Sequence, residues 1–154
     1  MPVTTSDGRR TDLSALLRGR ITALQLMFTG CSAACPLQGA LFMQTQKLLQ
    51  ARRSDTQLLS VTIDPTRDTP AELRTWLKHF DATPGWLAAA PRFEDLPPLT
   101  AVLLAGGEHV PSGPDPHSGQ VYLFDARSEL VYRTPALPAP DRLVATIDLV
   151  IARG

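Results

Sequence analysis

The chain has 154 residues, 44% of them hydrophobic, and its fifteen basic side chains balance fifteen acidic ones. That length supports one domain with a core that needs no disulfide staples, and the balanced charge argues against nucleic acid or an anionic membrane surface as a partner. No apolar run reaches the roughly 20 residues that cross a bilayer, and fourteen prolines point to stiff, shaped loops rather than a disordered tail.

The first signal along the chain is a turn, Thr5-Ser6-Asp7-Gly8-Arg9, between two short strand-like pieces. Residues 13–17 read as a helical turn. Residues 21–28 are almost all apolar and of strand length, the pattern of a central strand buried on both faces, with Gln25 as the one awkward residue. A helix beginning at Pro36 places Leu37, Ala40, Leu41, Leu48 and Leu49 at three- and four-residue spacing, with Gln44, Gln46, Lys47, Arg52 and Arg53 on the other side. Residues 58–63 form the next strand, which ends at Asp64-Pro65.

Thr69-Pro70-Ala71-Glu72 is a capping box with proline at the first helical position. The helix it starts carries Leu73, Trp76, Leu77 and Phe80 on one face. Residues 86–89 are a short third strand, and residues 93–104 are helical, started or interrupted at Pro97-Pro98. Trp76 and Trp86 sit in apolar contexts and read as core. A loop from Gly106 to Gly119 is unusually long for a compact domain, and such loops are often functional. It leads into a hairpin of residues 121–125 and 130–133. A last helix from about Asp141 buries Leu143, Ile147, Val150 and Ile151. With no repeat or second boundary, residues 1–154 read as one domain. Crossover helices come first and a hairpin plus helix last, which predicts an α/β fold with a central mixed sheet flanked by helices on both faces.

Both cysteines lie in Phe28-Thr29-Gly30-Cys31-Ser32-Ala33-Ala34-Cys35-Pro36, where the first long strand meets its helix. Two thiols three residues apart have three uses: a disulfide, a soft-metal site, or a reactive nucleophile with a resolving partner. Pro36 suits a first helical position and puts Cys35 near the cap, where free N–H groups and the helix dipole favour a thiolate. Copper binding and disulfide exchange both use that thiolate. The bland alternative is a pair of structural core cysteines, which their shared place at a strand-to-helix junction disfavours. The placement is thioredoxin-like, although the spacing is Cys-x-x-x-Cys.

Among the other polar residues, His109 and His117 lie in the long loop, and His79 belongs to the C-terminal end of its helix. Asp64 before proline reads as a turn former, and Arg67 and Asp68 as a loop ion pair or solvated charges. A structural zinc site would need four protein ligands, and no phosphate-binding loop is recognisable.

On three stretches the chain resembles the Sco/SenC family of copper-binding, thioredoxin-like proteins: Phe28-Thr29-Gly30-Cys31 with Cys35-Pro36, the run Val61-Thr62-Ile63-Asp64-Pro65-Thr66-Arg67-Asp68-Thr69-Pro70, and His117-Ser118 before the next strand. The resemblance implies copper as cofactor, Cu(I) with Cu(II) also accommodated, held by Cys31, Cys35 and His117, with Asp64 as an outer tuning or partner-contact residue. His109, in the same loop as His117, is the backup ligand or else simply an exposed histidine. The resemblance also implies a metallochaperone for the dinuclear copper centre of cytochrome c oxidase. The partners would be an oxidase subunit, other copper chaperones or thiol reductases, and no nucleic acid; the chain itself is expected as a monomer. It further implies a location on the periplasmic side of a membrane, with a native anchor N-terminal to this chain. Ser32 and Pro116 depart from the family pattern, where proline and aspartate are common. The competing class is a thiol-disulfide oxidoreductase, with Cys31 attacking and Cys35 resolving, and a thiol peroxidase ranks third.

Overall fold

The computed structural model describes residues 1–30, 34–105 and 119–154, the side chains of Ala34 and Cys35 excepted. The Asp7-Gly8 turn, in which Gly8 takes φ +84°, joins β1 (Pro2–Thr5) to β2 (Arg10–Asp12). Asp12 then caps α1 (Leu13–Leu17) by accepting from the Ser14 N–H. Next come β3 (Thr22–Met27), α2 (Ala34–Ala51), β4 (Gln57–Thr62), α3 (Pro70–His79) and β5 (Trp86–Pro91). A 3-10 turn at Phe93–Asp95 leads into α4 (Leu96–Leu104), and β6 (Tyr122–Phe124), β7 (Leu130–Arg133) and α5 (Pro140–Arg153) complete the described chain.

The strands form one sheet in the order β2-β1-β5-β4-β3-β6-β7. β3, β4 and β5 run parallel, while β1 and β6 pair antiparallel with β5 and β3. Parallel neighbours require crossover connections, which α2 and α3 supply. The register Leu26↔Val61 and Met27↔Thr62 sets the carboxyl ends of β3 and β4 side by side, and the Ile63 N–H continues the pairing to the Met27 carbonyl at 2.8 Å. The segments leaving both strands therefore emerge at the same pole of the sheet.

Strand alternation sends Ala23, Met27, Leu58 and Trp86 to one side, where they pack with Phe42 of α2, Leu73 and Trp76 of α3, and Leu143 and Ile147 of α5. Leu24, Leu26, Leu59 and Val61 face the other side, against Leu13 and Leu17 of α1 and Leu99 and Leu103 of α4. The expected mixed sheet with helices on both faces is present. Gln25 is buried in β3, and its Nε2 donates to Ser60 Oγ at 2.9 Å, a hydroxyl that also accepts from Trp86 Nε1 at 3.0 Å. Both tryptophans are core residues, with ring centroids 5.6 Å apart in edge-to-face packing.

The strand-like pieces expected at the start are present and join the main sheet, because β1 pairs with β5. Other sequence expectations need correction. The long helix begins at Ala34 rather than Pro36, and the last one at Pro140. The buried face of α2 is also rotated: Leu37 is 58% and Leu48 37% exposed, whereas Gln38, Phe42, Thr45 and Gln46 are buried. Apolarity alone misses this stripe because two of its polar members, Thr45 and Gln46, find partners. Gln46 Nε2 donates to the Asp81 carbonyl at 2.8 Å and its Oε1 accepts from the Thr83 N–H at 3.1 Å, while Thr45 Oγ1 donates to the Leu41 carbonyl. In α5, Ile151 is exposed and Val144 takes a core position.

Gly39 lets α2 approach the end of α3: a methyl group at this position would fall on the Phe80 ring, deep inside van der Waals contact. That ring is packed against Trp76 at 5.1 Å, so it has little room to yield. Gly39→Ala is expected to lower unfolding free energy by about 1–3 kcal/mol, the usual cost of overpacking, measured by urea denaturation. Ser60→Ala, which strips the shared acceptor from Gln25 and Trp86, should cost about 1–3 kcal/mol for the buried donors left unpaired, with a drop in melting temperature.

Candidate functional site

The parallel pairing of β3 and β4 brings the two sequence motifs together. Phe28, Thr29 and Gly30 leave β3, and α2 begins at Ala34 with Cys35 as its second residue. An 18-residue helix has unpaired N–H groups and the positive end of its dipole at this terminus. Cys31 lies outside the described residues, as do His109 and His117. The long run after β4 wraps beside this junction.

Asp68 organises that run. It was expected as a solvated charge or as the partner of Arg67, but its side chain is buried and it makes no ion pair among the described residues. Its carboxylate accepts from the Thr29 N–H at 3.1 Å, from Thr29 Oγ1, and from Thr62 Oγ1 at 2.5 Å. Three donors satisfy a carboxylate that could not otherwise be buried at acceptable cost. Arg67 turns instead to Asp64, at 4.0 Å. Asp64 sits at the end of β4, where its carboxylate also accepts from Thr66 Oγ1 and its carbonyl from the Arg67 and Asp68 N–H groups. The turn-forming part of its expected role is therefore present.

The capping box of α3 closes in one direction only. Thr69 Oγ1 accepts from the Glu72 N–H at 3.3 Å, but the Thr69 N–H goes to the Arg67 carbonyl, which leaves the Glu72 carboxylate free of that duty. Glu72 lines a cleft of about 510 Å³ between the cysteine segment and α3. Thr29, Gly30 and Pro36 form one wall, Glu72, Thr75 and His79 the other, and the rings of Trp76 and Phe80 lie between them. His79 stands in the last turn of α3, as expected, with its ring edge-on to Phe80 at 4.9 Å. Gln38, one turn beyond Cys35, is 2% exposed, and its Oε1 has no partner among the described residues.

A larger cavity, about 760 Å³, lies at the opposite pole between the β6–β7 hairpin and α5, near Ile21, Tyr132 and Leu149. None of its described lining residues is a cysteine or histidine. Asp125 at its rim has a pKa held below the usual carboxylate range by the Glu129 N–H and then by the N–H and guanidinium of Arg127, as befits a turn former. Among the described residues, no cluster of three or more metal-ligating side chains occurs, and no helix is long and apolar enough to cross a membrane.

Sequence reasoning missed Asp68 and Gln38. The signal for Asp68 was present in hindsight of the register alone: Thr29, Thr62 and Asp68 all lie at the carboxyl ends of two strands whose pairing the sequence pattern implies. Gln38 gives no comparable signal, since a glutamine in the second turn of a helix is ordinarily solvated.

Comparison with known proteins agrees with this architecture. The SCO1/SenC family model matches residues 3–87. A SCO2-like protein of Rickettsia conorii is 29% identical over 117 residues, covering 73% of this chain and 57% of the relative. The SCO1 protein homolog of Bacillus subtilis is 30% identical over 74 residues, 48% of this chain and 38% of the relative. The matches thus span about half or less of these relatives' length. Among solved structures, Arabidopsis thaliana ScoI with copper bound superposes with a TM-score of 0.82 at 20% identity, covering 100% of this chain and 97% of that one. A SCO1/SenC family lipoprotein from Bacillus anthracis gives 0.81 at 20% identity, with 98% and 92% covered. Motif, sheet order and family match converge: the chain belongs to the SCO1/SenC family.

Proposed function

We propose that the chain binds copper through the thiolates of Cys31 and Cys35 and the imidazole of His117 and passes it to an acceptor protein. The observation that carries this reading is the place of Cys35 in the first turn of α2, at the pole where β3 and β4 end, in a family whose solved members include ScoI with copper bound. Thiolate sulfur suits Cu(I), and imidazole accepts either oxidation state. Binding needs both thiols deprotonated and the histidine neutral. The N–H groups and dipole at the start of α2 favour the charged form at Cys35. With three protein ligands, a copper ion retains room for a ligand from the acceptor, which is what a carrier requires. His109 is the reserve nitrogen donor, and Asp64 acts from outside the ligand set by shaping the loop after β4.

The acceptor in this reading is the dinuclear copper centre of cytochrome c oxidase. A neighbour of TM-score 0.77, BsSco, is described as a member of the Sco family of cytochrome c oxidase assembly proteins. The lipoprotein from Bacillus anthracis supports a native protein held at a membrane surface, on the periplasmic side where that compartment exists. One specific observation favours a second reading: the same BsSco structure is described as identifying a disulfide switch. Thiol-disulfide exchange would use Cys31 and Cys35 without His117, and an oxidised pair could not hold copper through thiolates.

An anaerobic Cu(I) titration of the reduced chain against a competing chelator separates the two. One copper per chain is expected, weakened about 100-fold or more by Cys31→Ser or Cys35→Ser and about tenfold by His117→Ala, with about tenfold or less for Asp64→Asn, judged against known outer-shell losses. A wild-type chain that fails to outcompete a weak chelator, or a Cys35→Ser variant that binds as well as wild type, would sink the copper reading.

A further inference from the structure

Asp68 receives hydrogen bonds from two directions. Thr62 Oγ1 reaches it from the end of β4 at 2.5 Å, and Thr29 reaches it from the segment after β3 through both its N–H and its hydroxyl. The β4 side is rigid: Thr62 pairs with Met27 in the sheet, its Oγ1 accepts from the Asp64 N–H at 2.9 Å, and the Asp68 N–H returns to the Asp64 carbonyl at 2.9 Å. A carboxylate fixed on that side imposes its position on Thr29. Thr29 lies two residues before Cys31, and Gly30, the single residue between them, adds no side-chain contact to hold the path.

We propose that Asp68 is a positioning residue that acts through Thr29 to set the exit path of the chain from β3, and with it the separation of Cys31 from Cys35. Cys35 is fixed independently, by its place in α2. The chemistry of a cysteine pair depends steeply on that separation, because a disulfide accepts only Cα distances of about 4.4–6.8 Å, and a metal ion bridging two sulfurs is comparably demanding. The inference rests on the two cysteines acting as a pair, which both functional readings share. It assigns a role to a buried charge that makes no ion pair among the described residues and lies outside the expected ligand set.

The test is the equilibrium of the full chain with glutathione, in which the protein dithiol and one oxidised glutathione give the protein disulfide and two reduced glutathiones. Two electrons pass from the cysteine pair to the glutathione disulfide, and both thiol protons end on glutathione. Thr29→Val keeps shape and β-branching but loses the hydroxyl bond to Asp68. It is expected to shift the equilibrium constant about three- to tenfold, the range corresponding to one intramolecular hydrogen bond. Thr29→Ser, which restores the hydroxyl, should return it to within about twofold of wild type, well inside that same range. Ile147→Val, a core truncation in α5 remote from the loop, serves as a control for general destabilisation and should leave the constant unchanged while lowering the melting temperature.

The proposal is overturned if Thr29→Val matches wild type, if Thr29→Ser is as shifted as Thr29→Val, or if Ile147→Val moves the equilibrium as far. It also falls if the wild-type pair forms no disulfide at any glutathione ratio. Copper titration of the same proteins is scored separately. A shifted equilibrium in a chain that binds no copper upholds the positioning role and removes the carrier reading, whereas tight copper binding with an unmoved equilibrium does the reverse.

Discussion

A buried carboxylate accepting three hydrogen bonds joins the two halves of this molecule's functional pole. Asp68 takes donors from Thr29 and Thr62, residues that follow or end adjacent parallel strands. The arrangement depends on the β3–β4 register, since a slip of one residue would turn Thr62 to the opposite face of the sheet. It also depends on the carboxylate itself. Ionised aspartate is an acceptor on both oxygens, whereas asparagine would aim two donors of its own into a site already supplied with donors. The sheet thus fixes the loop, and the loop gives the cysteine segment its starting point.

The same pole shows how core and cleft share material. Phe80 and Trp76 line the cleft beside the cysteine segment and also belong to the cluster that buries Trp86, Phe42 and Leu73. Their edge-to-face contacts and the close approach of α2 at Gly39 make the cleft wall a face of the core. Its shape is consequently as rigid as protein interiors generally are. The rim differs in kind: Glu72, Thr75 and His79 are exposed on α3, so their chemistry can vary at little cost in packing.

Much of the architecture was legible because its signals are local and periodic. The apolar runs of β3 and β4, the proline-marked start of α3, and the turn chemistry at Asp7-Gly8 each name an element without reference to the rest of the chain. The buried face of α2 was not legible in this way. Thr45 and Gln46 are buried through partners within the helix backbone or distant in sequence, Gln38 is buried with its Oε1 unpartnered among the described residues, and apolar counting assigns such residues to solvent. Asp68 was misread for the same reason: between Arg67 and a capping threonine it resembles a loop charge. Only the tertiary placement of Thr29 and Thr62 gives it an interior. Cysteine placement was readable as a junction and family motif, while His117 lies outside the described residues and stays with the proposal.

The distribution of constraint along the cysteine segment follows from these contacts. Up to Thr29 the path is held by sheet pairing and by Asp68; from Ala34 onward it is held by the hydrogen-bonded body of α2. Gly30 has φ outside the left-handed region, and a methyl group placed there would make only an ordinary contact with Phe28 among the described residues, so neither strain nor crowding by the described residues requires glycine there. What it offers is a surface without a side chain in the wall of the cleft, immediately before Cys31. A larger residue would narrow the cleft between Thr29 and Pro36 while meeting only Phe28 among the described residues. Glycine at this position therefore bears on the shape of the cleft, whereas Asp68 acting through Thr29 bears on the path of the chain as it leaves β3.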